Sequence, residues 1–272
     1  MFVRLYLKTL KILKRILLVL LAMFMIFVVN GAVEYFIVQN RIQEFKERAV
    51  GEPVADSNIA NTYYYRVPAK EDEDTSRNIF NFERRFIGAK GDIITSNRNP
   101  LRDYPPWNFF IQPFAHYLYL GHTSINSAED GSRVYETLGN RNWENNIVQE
   151  STNTWILSEE YGSDDYSSPV IIGLRIRNTT SEQRDKMIEY AASKDGYPYN
   201  YTFLFNRANG FYCTDIVSRS VAAAGINVNY DHLATTGNDI LCSKNVYIIF
   251  IREVVIENGV ERYNIYYLDG GE

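Results

Sequence analysis

Few side chains in this sequence can do covalent or acid–base chemistry. There are two cysteines, Cys213 and Cys242, and three histidines, His116, His122 and His232. Cys213 stands in GFYCTDIVSRSVAAAG, where Ile216, Val217, Val221 and Ala224 recur at helical spacing and Gly225 ends the run. The thiol therefore opens a helix over about 212–224. The thiolate is the nucleophilic form of cysteine, and a helix N-terminus stabilises it through free amides and the dipole. A free cysteine is more often a small buried hydrophobe, and position alone does not choose between the two.

His122, in YLGHTSIN, sits in a largely apolar strand, where a histidine is more often structural than catalytic. His116 lies between Ala115 and Tyr117, and His232 between Asp231 and Leu233. Glu136, in RVYETLG, falls on the second strand of a hairpin, 117–126 with 132–138, turned by Ala128-Glu129-Asp130-Gly131. If 122–126 pairs with 132–136, Glu136 and His122 stand opposite each other on one face. A carboxylate there would fix the imidazole tautomer and favour its charged form. Otherwise Glu136 is a surface glutamate.

The elements that must position these groups form an α+β domain with a mostly antiparallel sheet packed on helices. Gly91-Asp92-Ile93-Ile94 opens a strand, 97–113 reads as a loop, and Trp155–Leu157 and Pro169–Arg177 read as strands. A helix covers Ser181–Lys194, with Thr180 and Gln183 at capping-box spacing. Val246–Val255 and Tyr263–Leu268 close the chain around a Glu257-Asn258-Gly259 turn.

Ahead of this domain, residues 1–15 carry five of the 28 basic residues and no acid, leaving 23 basic against 33 acidic residues in the rest. So acidic a remainder offers no electrostatic footprint for nucleic acid. From Ile16 to Val29 the chain reads ILLVLLAMFMIFVV, fourteen apolar residues. A cleaved signal peptide lacks its small-x-small site here, because Asn30 stands at −3 from Ala32. A buried core helix would leave five positive charges unpartnered. An uncleaved signal-anchor over 16–38 fits best, with its basic leader cytoplasmic and the rest outside. Residues 39–49 continue the helix, 39–79 read as a linker with the GEPVAD and EDED stretches, and 80–272 form the domain.

Several segments, taken in order, resemble the NlpC-like cysteine hydrolases, in particular the circularly permuted, papain-fold amidases of the YaeF/YiiX type. They are Gly91–Ile94, then His122-Thr123-Ser124-Ile125, then Tyr135-Glu136. Next come Gly196-Tyr197-Pro198-Tyr199-Asn200-Tyr201-Thr202-Phe203, then Tyr212-Cys213-Thr214-Asp215-Ile216-Val217, and finally Thr236–Ile240. The resemblance covers roughly 86–255. Thr214 replaces a more usual Ser, Asp215 a more usual Glu, and the aromatic insertion 97–115 is unusual.

The resemblance implies that Cys213 attacks a carbonyl, His122 takes its proton and Glu136 orients His122. Tyr199 and Tyr212 would line the substrate pocket, with the Cys213 amide as oxyanion donor. No metal or cofactor is implied. The expected protein is a membrane-anchored, extracytoplasmic cysteine amidase or peptidase, acting on a cell-wall peptide or a lipid acyl bond. An acyltransferase, or a catalytically silent binding module of the same fold, are the competing expectations. A Cys213–Cys242 disulfide in an oxidising exterior would abolish the thiol chemistry.

Overall fold

The computed structural model describes residues 2–98, 105–139, 146–156, 170–203, 208–229 and 234–270. His232, Leu157, Pro169 and residues 99–104, all parts of the expectations above, lie outside them. A nine-stranded sheet organises the mixed α+β chain, in the order β1-β2-β9-β8-β7-β3-β4-β5-β6. In chain order the strands are Val50–Ala55, Thr62–Pro68, Ile93–Ser96, Thr123–Asn126, Arg133–Thr137, Val148–Thr152, Ile171–Ile176, Val246–Glu257 and Val260–Asp269 (β1 to β9). Every pairing is antiparallel except β2 with β9. The helices are α1 (Phe2–Glu47), α2 (Trp107–Leu118), α3 (Ser181–Ala192), α4 (Cys213–Ala223) and α5 (Gly237–Cys242).

Local chemistry explains most of these elements. The β8–β9 turn has Asn258 and Gly259 at positive φ, the geometry that a two-residue hairpin demands. Both halves of the Thr180–Gln183 capping box are formed at the start of α3. The central strands β3 and β7 are buried along their whole length, and their near-continuous aliphatic runs reflect cover on both faces. Within that core Arg175 of β7 is fully buried. It donates to Asp92 at 2.6 Å and to the carbonyls of Asp74 and Asn78. Asp92 is the acid of the Gly-Asp-Ile-Ile segment, so that segment owes its acid to an ion pair under the sheet.

Three expectations differ. Residues 39–47 continue α1 as expected, but 50–79 is not a linker: residues 50–68 supply β1, at one edge of the sheet, and β2 beside it. β1 (VGEPVA) is almost wholly exposed and β2 (TYYYRVP) buries only part of its length, which hides both strands among loop-like composition. The expected loop 97–113 contains most of α2, and Tyr117–Leu120 completes that helix and its exit, so β4 starts only at Thr123. Trp155 and Ile156 form a turn, preceded by an unexpected strand, β6.

One N-terminal helix, α1, is long and apolar enough to cross a membrane. Its last turns dock on the domain: Val38, Ile42 and Phe45 join the core. Arg41 donates to the carbonyls of Leu241, Ser243 and Val246 around the end of α5. Helix α4 lies against β4 and β5 through Ile216, Val217 and Val221, with α3 beside it. That placement brings the first turn of α4 to the His122 end of β4.

Breaking a buried ion pair leaves an uncompensated charge in the core and costs about 3–5 kcal/mol. Arg175→Met should therefore shift the urea unfolding of detergent-solubilised protein by that amount. A loss below about 1 kcal/mol, the scale of exposed pairs, would show that the Arg175–Asp92 pair is not structural.

Candidate active site

Cys213 is the first residue of α4 and is 8% exposed. Its N-cap, Tyr212, has extended backbone and makes no side-chain cap, so Tyr212 does not occupy the amides of the first turn. The Cys213 sulfur lies 3.7 Å from the carbonyl oxygen of Gly121. Gly121 is needed for this approach: a Cβ on it would sit 2.1 Å from the Ser96 carbonyl oxygen. Ser96 also grips the next residue, accepting from His122 N through Oγ at 3.3 Å and donating its own amide to His122 O at 2.9 Å.

His122 Nε2 lies 2.7 Å from Glu136 Oε2. The hairpin register differs from the expected one: Glu136 faces Ser124, so His122, just ahead of β4, reaches Glu136 along the diagonal. Residues two apart on a strand share a face, and the diagonal is within reach of a long side chain. With Nε2 committed to Glu136, Nδ1 is the ring nitrogen left to face Cys213, whose nearness raises the His122 pKa. The indole of Trp155 stacks on the imidazole, with centroids 5.3 Å apart and planes 9° from parallel. Ser151 of the neighbouring strand β6 is a smaller influence that lowers the Glu136 pKa.

The electrostatics follow from this packing. Burial alone would lower the His122 pKa, but the Cys213 and Glu136 hydrogen bonds and charges outweigh it and push it up to about 10. Burial raises the Glu136 pKa, and the hydrogen bond and charge of His122 more than offset that, so the net direction is down. Both directions favour an imidazolium paired with a carboxylate.

Tyr199 stands beside the thiol because the 198–200 segment pairs with Phe211. Asn200 N donates to Phe211 O at 2.9 Å, and Phe211 N donates to Pro198 O at 3.1 Å. Burial raises the Tyr199 pKa well above the ordinary range, helped by the charge of Cys213 and by a hydrogen bond to it. The Tyr199 ring packs where a Cβ on Gly139 would come within 2.9 Å of it. Tyr212 is buried with its ring 5.7 Å from Phe203, and burial and nearby Asp215 raise its pKa. Asp215 pairs instead with Arg219 one turn along α4, at 2.7 Å.

Five expected site residues, Cys213, His122, Glu136, Tyr199 and Tyr212, thus gather at one end of α4. His116 lies in α2. Both cysteines are free. Cys242 ends α5, where burial, then Glu34, push its thiol up to about 12. Sequence reasoning missed Trp155, Ser151, Ser96 and Gly121. Only Gly121, a glycine directly before the histidine, left a readable signal. Among the described residues no three His, Cys, Asp or Glu side chains are grouped to hold a metal ion.

No family model matches the chain, and no curated protein matches it. Among solved structures, the chain is similar to the crystal structure of the metalloprotein YiiX from Escherichia coli O157:H7. The identity is 17% and the TM-score 0.44, over 60% of this chain and 96% of that one.

The raised His122 pKa has a testable sign. The folded ring stays charged to higher pH than a free imidazole and loses its proton only as pH rises through the folded value. Glu136→Gln keeps the shape but removes the charge, so the ring should titrate about one to three pH units lower by NMR. An unchanged midpoint would mean that Glu136 does not polarise His122.

Proposed function

We propose that this protein is a membrane-anchored cysteine hydrolase, an amidase or peptidase of the permuted papain-like kind, with its domain on the extracytoplasmic side. The observation that carries the reading is the line Cys213–His122–Glu136. It comprises a thiol at a helix start, beside an imidazole whose Nε2 is 2.7 Å from a buried carboxylate. This is the nucleophile, base and orienter arrangement that activates a thiol. The substrate class is an amide or ester bond of a cell-wall peptide or a lipid.

In this reaction the Cys213 thiolate attacks the carbonyl carbon, forming the C–S bond and moving the carbonyl π electrons onto oxygen. In this reading the Cys213 amide is the donor that meets that oxyanion, with Tyr199 lining the pocket beside it. The His122 imidazolium then gives its proton to the leaving amine or alkoxide as that bond breaks. Water, deprotonated by His122, next attacks the thioester carbon; the C–S bond breaks, the acyl group leaves as a carboxylic acid, and the Cys213 thiolate and His122 imidazolium are restored. If another acceptor takes the place of water, the same machinery transfers the acyl group.

An electrophilic acyl probe distinguishes turnover machinery from a silent binding module. Full-length protein should be labelled at Cys213. Cys213→Ala should remove labelling, and His122→Ala should slow it by about 10²–10⁴-fold, the usual worth of a positioned general base. Equal labelling of wild type and Cys213→Ala would leave a module that binds without reacting.

A further inference from the structure

The apolar run of α1 that stands clear of the domain is too short to cross a bilayer alone. Ile16–Val29 is fourteen residues, about 21 Å of helix, against a hydrocarbon core of about 30 Å. The missing length, about 9 Å or two turns, must come from Asn30–Phe36, where α1 already meets the domain. At that level the polar groups are turned away from lipid. Asn30 Nδ2 donates to Glu34 Oε1 at 2.7 Å, and Glu34 is buried. Val33 and Phe36 face outward, 47% and 71% exposed.

Helix α2 sits at this same level. Its Tyr117 stacks on Tyr35 of α1, with centroids 4.9 Å apart. Along α2, Phe109, Phe110 and Phe114 are 78%, 59% and 43% exposed, and Pro113 between them is exposed as well. On a period of about 3.6 residues these four and Tyr117 share one side, while buried Ala115 lies on the other. The outward face is therefore the apolar one, and it adjoins α1 at the Tyr117–Tyr35 stack, next to exposed Phe36. A face of this kind on a helix is what the bilayer interface takes up.

We propose that α2 is a second membrane contact, whose Phe109, Phe110 and Phe114 insert into the edge of the bilayer that α1 crosses. The proposal rests on the anchoring reading of α1. Only Tyr119–Gly121 separate α2 from His122, and Gly121 carries the carbonyl beside the Cys213 sulfur. Insertion of α2 thus ties the position of the catalytic pair to the bilayer surface.

The test uses the full-length chain with Cys213→Ser and Cys242→Ser, reconstituted in phosphatidylcholine vesicles carrying shallow nitroxide lipids. An environment-sensitive fluorophore is attached at Phe110→Cys, or at Phe114→Cys one turn on. Phe24→Cys reports the anchor, and Asn58→Cys reports the far edge of the sheet. Labels at 110 and 114 should show blue-shifted emission quenched by the lipid nitroxide, with none at 58. Quenching at 24 with water-like emission at 110 and 114 would overturn the second contact and leave the anchor standing. Blue-shifted emission at 110 without lipid quenching would replace the bilayer with a second copy of the chain. Absence of quenching at both 24 and 110 would overturn the anchor and the proposal together.

Discussion

The pair formed by His122 Nε2 and Glu136 Oε2, 2.7 Å apart across the β4–β5 hairpin, is the interaction on which the rest of the site depends. Glu136 is 5% exposed, and a carboxylate removed from water to that degree is costly unless a charge and hydrogen bonds compensate it. His122 supplies both the charge and the hydrogen bond. The same pairing commits Nε2, so Nδ1 is the nitrogen presented to the thiol. Orientation of the base, its protonation and its direction toward Cys213 therefore come from one contact. Trp155 closes the face of the ring and prevents it from swinging away.

The sheet exists, from this viewpoint, to hold three short segments in register. Ser96 at the end of β3 pins the backbone of His122 from one side, and β5 brings Glu136 from the other. Helix α4 lies across β4 and β5 on aliphatic side chains and delivers its first residue to the gap between them. Gly121 permits the closest approach, where any side chain would strike the Ser96 carbonyl. The docked end of α1 adds a further constraint. Arg41 donates to three carbonyls near α5, and Val38, Ile42 and Phe45 are part of the core, so the last turns of the apolar helix are fixed to the domain.

Much of this was legible in the sequence where a local rule acts alone. The capping box of α3, the Asn258-Gly259 turn, the largely aliphatic strand β7 and the start of α4 at Cys213 each follow from a few adjacent residues. The five site residues were legible only because separate segments resemble one family in order. What could not be read depends on distant partners. β1 and β2 look like a polar lead-in until β9 is present to pair with β2, and β2 in turn with β1. Helix α2 carries its phenylalanines outward and Pro113 within, so its pattern contradicts the usual inward apolar stripe. The diagonal reach of His122 depends on a register set by the whole hairpin. Trp155 gives no signal in a run that reads as a strand but folds as a turn. Arg175, inside an apolar strand, needs Asp92 to explain it.

The central claim is that Cys213 is an activated thiol and Cys242 an inert one. Site-resolved mass spectrometry of the native full-length chain, alkylated by iodoacetamide over a range of pH, tests it most directly. The account predicts rapid modification of Cys213 at about pH 6–7, where an ordinary thiol is protonated. Cys242, buried against α1 and pushed up to about 12, should stay unmodified in the same samples. Modification of Cys213 only at alkaline pH, at a rate no greater than that of a free cysteine, would contradict it.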